Sequence, residues 1–235
     1  MTDSLFPAVI LAGGLATRLR PLTHRIPKSL IPICDEPFIA HQLRLLKNQG
    51  IQKVILCLGY LGEQIVEFVK DGDAFGLEIS YSFDGENLLG TAGSIKKAFS
   101  FLPEHFFVLY GDSYLPCSYS SIQQNYIKEK KKALMTVFHN QGFWDKSNVE
   151  FTNGCIITYD KKNITRRMNY IDYGLGIFHR EVFISLSEQE PSDLEDIYQF
   201  LLKQNQLAAY EVKQRFYEIG SHTGISELEA YFKQQ

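Results

Sequence analysis

The chain has 235 residues, 45% of them hydrophobic and 22% charged, with 17 Phe, 13 Tyr and a formal net charge of -3. That composition supplies a packed core and excludes a disordered, collagen-like or fibrous chain, while the length suits one domain at roughly 150 residues per domain. The near-neutral balance excludes a strongly electrostatic nucleic-acid binder, which carries a basic face.

In chain order, residues 8–12 form a short apolar run ending in Gly-Gly, expected as a buried strand. Residues 38–48 place Phe38, Ile39, Leu43, Leu45 and Leu46 at helical spacing, with Gly50 as a stop. The runs 53–58 and 106–110 lack polar alternation, like the first, which predicts parallel strands covered on both faces. Between them, 62–69 carries a helical stripe of Ile65, Val66, Phe68 and Val69. Residues 79–83 read as a further strand and 91–99 as a helix. This alternation implies right-handed crossovers and a doubly wound α/β sheet.

The second half changes character. Residues 133–140, 147–151, 155–160 and 171–178 are strand-like, and Asn153-Gly154 is a hairpin signal, so a mixed or antiparallel extension is expected. Residues 192–204 read as a helix whose acidic first turn (Asp193, Glu195, Asp196) suits the macrodipole. A late strand at 207–212 and a terminal helix at 224–232 follow, and the charge run 128–132 reads as the solvated end of a helix.

Cys34, Cys57, Cys117 and Cys155 lie far apart with no C-x-x-C pair, so neither a metal framework nor a disulfide scaffold is expected. No basic segment precedes the first apolar run, and no run approaches the ~20 residues that span a bilayer. A cytoplasmic protein with no membrane partner is expected, and the sequon Asn163-Ile164-Thr165 then has no consequence.

The strongest local signal runs from Leu11-Ala12-Gly13-Gly14 through Thr17-Arg18-Leu19-Arg20-Pro21 to Pro27-Lys28-Ser29-Leu30-Ile31-Pro32. It follows the first expected strand, where open α/β sheets bind ligands. Adjacent glycines let backbone N–H groups surround an anion, an Arg can grip phosphate bidentately, and a Lys adds a compact charge. Neither G-x-x-x-x-G-K-[ST] nor G-x-G-x-x-G is present.

This stretch resembles the N-terminal signature of sugar-phosphate nucleotidyltransferases, G-G-x-G-T-R-L-x-P-x-T followed by P-K-x-L-x-P, with Ala16 in place of the third glycine. The likeness continues along nearly the whole chain. Leu89-Gly90-Thr91-Ala92-Gly93 resembles L-G-T-A-G, common in the mannose-1-phosphate guanylyltransferase-like members. Gly90 would let the chain approach the nucleoside, and Thr91 would cap the helix after it. Gly111-Asp112 resembles the family's metal-bearing G-D, and Tyr159-Asp160-Lys161 its E-K-P, whose lysine contacts the sugar phosphate. Residues 171–178, with Asp172 and Gly174, resemble the glycine-bearing strand of the sugar site. Phe216-Tyr217-Glu218-Ile219-Gly220-Ser221 resembles W-x-D-I-G-T, with Glu218 where the family has its second metal carboxylate.

The resemblance implies a Rossmann-like mixed sheet of the nucleotide-diphospho-sugar transferase type, with a small antiparallel extension for the sugar. It implies transfer of a nucleotidyl group from an NTP to a sugar 1-phosphate with release of pyrophosphate. GTP with a mannose- or heptose-type sugar leads. UTP, CTP or dTTP with another sugar 1-phosphate or phosphocholine, and a catalytically weak sugar-nucleotide binding protein, stay open. Arg18, Lys28, Asp112 and Lys161 would be catalytic, and Asp112 with Glu218 would hold Mg2+. Leu11, Ala12, Gly13, Gly14, Thr17, Gly90 and Thr91 would bind the nucleotide, and Asp160, Asp172 and Gly174 the sugar. The whole of 1–235 is expected as one transferase domain, with 1–125 mainly nucleotide-binding and 126–235 mainly sugar-binding. The oligomeric state is left open, a homo-oligomer included.

Overall fold

The structure is a computed structural model, described here for residues 4–15, 17–85, 87–187 and 190–234. The order is β1 (Ala8–Ala12), β2 (Pro32–Ile33), β3 (Glu36–Pro37), α1 (Phe38–Gln49), β4 (Lys53–Leu58), α2 (Gly62–Val69), β5 (Glu78–Phe83) and α3 (Gly90–Lys97). Next come β6 (His105–Tyr110), β7 (Ser113–Tyr114), α4 (Tyr119–Glu129), β8 (Ala133–Phe138), β9 (Val149–Thr152) and β10 (Cys155–Tyr159). The chain closes with β11 (Ile171–His179), α5 (Leu194–Lys203), β12 (Leu207–Val212), β13 (Tyr217–Glu218) and α6 (His222–Phe232).

Seven strands form the central sheet in the order β12-β8-β11-β6-β1-β4-β5. β1 runs parallel to both β4 and β6, while β11 lies antiparallel to β6 and β8. The continuous apolar runs are buried on both faces, as their lack of alternation predicts. One layer packs Ile39, Leu43, Ile65 and Ile122 against Ile10 and Leu56, and the other packs Ile95, Leu194 and Leu201 against Val9 and Val108.

The expected mixed sheet with a small antiparallel extension is present. β8, β11 and β12 join the main sheet, while β9 and β10, joined at Asn153-Gly154, make a separate antiparallel hairpin, and β2–β3 and β7–β13 are smaller antiparallel pairs. α3 ends at Lys97, before a 3-10 turn over Phe99–Phe101 that takes the last residues expected as helix. α6 begins at His222, because the Ser221 hydroxyl accepts the Gly224 N–H at 3.0 Å and starts the helix two residues earlier than expected.

A third, smaller core joins Leu19, Ile31, Ile33 and Phe38 to Ile219 and Leu228. It binds the segment after the glycine loop to the last strand and helix. Residues two hundred positions apart in sequence thereby meet.

Candidate active site

β1 lies between β4 on one side and β6 on the other, so connections leave it in opposite directions, and a crevice opens at its carboxyl end. A cavity of about 400 Å3 occupies that place. Leu11, Ala12, Gly13, Gly14, Thr17 and Arg18 form one wall, and Lys28, Gly90, Thr91, Tyr110 and Asp112 contribute others. All seven expected nucleotide residues therefore face one space, together with Arg18, Lys28 and Asp112. Ala16 lies outside the described residues. A Cβ placed on Gly14 meets nothing within 4 Å. Packing alone therefore does not demand a glycine there.

Two turns deliver the charges. Lys28 begins a 3-10 turn, Lys28–Leu30, and Asp112 follows β6. Lys28 Nζ lies 2.5 Å from Asp112 Oδ2, with side chains 15% and 32% exposed. Ser29, beside it, donates its hydroxyl to Gly111 O at 3.0 Å. β13 pairs antiparallel with β7, setting Glu218 opposite Ser113, and the Ile219 N–H donates to Asp112 O at 3.0 Å. The Glu218 carboxylate accepts the Gly220 N–H and the Ser221 hydroxyl, the latter at 2.9 Å. Seen from Gly220, a Cβ would lie 3.0 Å from Lys28 Nζ and 3.1 Å from an Arg18 guanidinium nitrogen, so both cations converge on the Glu218 turn.

The sugar-side residues lie next to this cavity rather than in its wall. Lys161 is exposed, with Nζ 5.6 Å from the centre of the Tyr110 ring, and its backbone N–H donates to Glu195 at 2.9 Å. Asp172 accepts the Gly174 N–H at 3.0 Å and the Tyr159 hydroxyl at 3.2 Å. The β11–β8 register shifts between Asp172 and Gly176, a bulge that turns this stretch toward Tyr110 and Ser113. Asp160 is partly exposed and accepts the N–H groups of Lys162 and Asn163 and the Asn163 side chain. Those donors hold its carboxyl below the ordinary 3.8. Its carboxylate thus shapes the loop that carries Lys161.

In the L-G-T-A-G segment Gly90 gains a packing reason and the reading of Thr91 changes. Gly90 has φ 72°, and a Cβ there would lie 2.6 Å from Ser192 O, so a side chain is excluded by the segment before α5. Thr91 does not cap the helix that follows it, because it already lies inside α3. Its hydroxyl accepts the Leu194 N–H at 2.8 Å and donates to Asp193 Oδ1 at 3.2 Å, capping α5 instead. Asp193 returns a bond to the Thr91 N–H at 3.2 Å. Each residue serves the start of the other's helix.

Sequence reading missed Asp84, Tyr110 and Asp193 as cavity residues. Asp84 follows β5, and its Oδ2 accepts the Ser94 hydroxyl at 2.9 Å and the Leu89 N–H at 3.4 Å. Burial raises its pKa above the ordinary 3.8 despite those donors. Its position at the carboxyl end of a sheet strand, like that of Asp112, was the available signal. Asp193 and Gly220 also show that residues beyond 126 enter this cavity.

A glycine-floored cavity at a sheet switch point, with two cations and three Asp residues on its walls, defines a protein that handles phosphorylated nucleotides. The chain belongs to the nucleotidyl transferase family, whose model matches residues 7–235. It is 30% identical over 213 residues to D-glycero-alpha-D-manno-heptose 1-phosphate guanylyltransferase of Campylobacter jejuni, covering 91% of this chain and 94% of that one. It is 32% identical to the UTP–glucose-1-phosphate uridylyltransferase of Synechocystis, over 80% of this chain but 52% of that longer protein. The fold is shared with HddC from Yersinia pseudotuberculosis, crystallised with GMP-PN, at a TM-score of 0.83 and 23% identity over 97% of this chain and 100% of that one.

Proposed function

We propose that this protein transfers the guanylyl group of GTP to a manno-configured heptose or hexose 1-phosphate, releasing pyrophosphate. The observation that carries the reading is the convergence of Arg18, Lys28 and Asp112 on one glycine-floored cavity. The Gly13-Gly14 amides and Arg18 hold the β- and γ-phosphates and stabilise the departing pyrophosphate. Lys28 neutralises the α-phosphate as its charge redistributes. The attacking sugar phosphate is already ionised at neutral pH, so no general base is required and alignment is the main task. Lys161 anchors that phosphate from beside Tyr110, and Asp160, Asp172 and the backbone at Gly174 meet sugar hydroxyls.

The donor set suits Mg2+, which favours carboxylate and phosphate oxygens. Asp112 directs a carboxylate toward the cavity, and a cationic group, Lys28 Nζ, stands 2.5 Å from it. Glu218 lies on the neighbouring strand, and one donor on each of its oxygens leaves lone pairs over. Asp112, with Glu218 as partner, would hold the ion, which supplies positive charge between the two phosphates. Until then Lys28 and Asp112 neutralise each other.

Base choice rests on Asp84. Guanine presents N1–H and N2–H side by side, and one carboxylate accepts both. Uracil and thymine present two carbonyl oxygens around one N–H, which a carboxylate repels. The half-buried Asp84 on the cavity wall supports guanine on that ground, as does the heptose relative's activity on GTP. The halves 1–125 and 126–235 remain our division of nucleotide and sugar duties. Among the described residues no helix is long and apolar enough to cross a membrane, and cytoplasmic placement belongs to this proposal.

The test is pyrophosphate release from four NTPs against a panel of sugar 1-phosphates with Mg2+, including manno-heptose, mannose and glucose. GTP with a manno sugar is expected to exceed every other pair. Dominant turnover with UTP and glucose 1-phosphate would instead place this chain with the uridylyl relatives. No turnover in any well removes the transferase reading.

A further inference from the structure

Gln42 sits on the apolar face of α1, between Ile39 and Leu43, and is fully buried. Its side-chain Nε2 donates to Tyr110 O and to Ser113 O, each at 2.9 Å. Those carbonyls bracket Gly111-Asp112. Its Oε1 is buried with no hydrogen-bond partner among the described residues. The amide orientation follows from the bonds, since a flip would set Oε1 against two carbonyl oxygens. A Leu or Met would fill this place in the core without stranding an acceptor, so the two donors are what a glutamine adds there.

The turn they hold is fixed at each successive carbonyl. Gln42 holds those of Tyr110 and Ser113, the Ser29 hydroxyl that of Gly111, and the Ile219 N–H that of Asp112. Ser29 adjoins Lys28, and Ile219 adjoins Glu218. The backbone of Asp112 is therefore tied to both elements that carry its charged neighbours, and to the main core through α1.

We propose that Gln42 is a positioning residue that sets the Asp112 carboxylate against Lys28, beside the turn that carries Glu218. This rests on the reading of Asp112 as a metal-binding group. Gln42 touches no substrate and acts through the backbone of residues 110–113. Loss of its donors lets that turn relax, because two of four restraints go while the packing volume stays.

The test is Gln42→Met, close in volume and without donors, with Asp112→Asn beside it. Three quantities are measured: the melting temperature, binding of Mn2+ alone with the free ion counted by electron paramagnetic resonance, and steady-state turnover. Gln42→Met is expected to keep the wild-type melting temperature within a few degrees. It should weaken Mn2+ binding at least fivefold and lower kcat 10- to 100-fold, with KM for the sugar 1-phosphate within twofold. Wild-type Mn2+ binding by Gln42→Met, where Asp112→Asn has lost it, overturns the positioning role alone. Undiminished Mn2+ binding by Asp112→Asn overturns the underlying metal reading instead. Should Gln42→Met not fold, Ser29→Ala carries the test, since it removes one restraint on the same turn with little loss of volume. Weakened Mn2+ binding there sustains the inference, and unchanged binding overturns it.

Discussion

Replacing Lys28 by Met separates the catalytic charge from the structural contact. At 2.5 Å and an effective dielectric near 20, the bare Lys28–Asp112 attraction is about 6.6 kcal/mol. Asp112 is 32% exposed, however, so water screens the pair and hydrates the carboxylate once the lysine is gone. The net loss of stability should be about 1 kcal/mol, or roughly 2–4 °C in melting temperature for a chain of this size. In the proposed mechanism the catalytic loss is larger, because the ammonium, held in place before the reaction, would face the charge that shifts onto the α-phosphate oxygens. One such preorganised group contributes about 3–4 kcal/mol, which corresponds to a 10²–10³-fold fall in kcat. Continuous pyrophosphate detection gives kcat, and a thermal melt on the same sample gives stability. A kcat within threefold of wild type, in a variant that melts normally, refutes the role given to Lys28.

Other perturbations probe separate links. Asp84→Asn should lower kcat/KM for GTP 10- to 100-fold while UTP loses little, measured by competition between the two nucleotides. Because burial raises the Asp84 pKa, wild-type GTP affinity should weaken on acidification at a higher pH than an ordinary carboxylate near 3.8 would give, and Asp84→Asn should lack that step. Thr91→Val removes the cap on the Leu194 N–H and should cost about 1 kcal/mol, seen as a lowered melting temperature. His105 sits beside His179, and burial together with that neighbour holds its pKa below the ordinary 6.5. The unfolded chain therefore binds a proton first, so native stability should decline as pH falls from about 6.5 toward the depressed value. Melting at pH 7.5 and 5.5 checks this, and His105→Phe should flatten the dependence.

What could be read in advance was whatever is local in sequence. The strands at 8–12, 53–58 and 207–212 and the helix at 62–69 need only burial and periodicity, and their limits agree with the structure. The glycine loop, from its place at a strand end, and Gly111-Asp112, from the family resemblance, were both expected at one site, and both line the cavity. Thr91 was misread because its partner, Leu194, lies 103 residues away, and no local pattern distinguishes a cap for one's own helix from a cap for another. Asp84 was passed over for a related reason. A lone acid after a strand looks like a turn residue until Ser94 and the cavity wall are brought beside it. The β8, β11 and β12 strands were recognised, but their joining of the main sheet depends on pairings that single-strand patterns do not encode.

The small third core explains why the charges of the site can come from opposite ends of the chain. Arg18 adjoins Leu19, Lys28 lies three residues before Ile31, and Glu218 adjoins Ile219, and these apolar residues are fully or almost fully buried in the same cluster. Burial of those side chains is non-directional and brings the segments together. It does not by itself set a carboxylate to within a fraction of an ångström. The directional part comes from the Ile219 N–H, the Ser29 hydroxyl and the Gln42 amide, all ending on the backbone around Asp112. Apolar contacts therefore decide which residues meet, and hydrogen bonds decide where their charges point. A cluster of six buried side chains is also the least extensive of the three cores, so α6 and the Glu218 turn should open more readily than the central sheet. A ligand gripping both Arg18 and the Glu218 side would close that weakest seam, coupling nucleotide binding to the stability of the C-terminal helix.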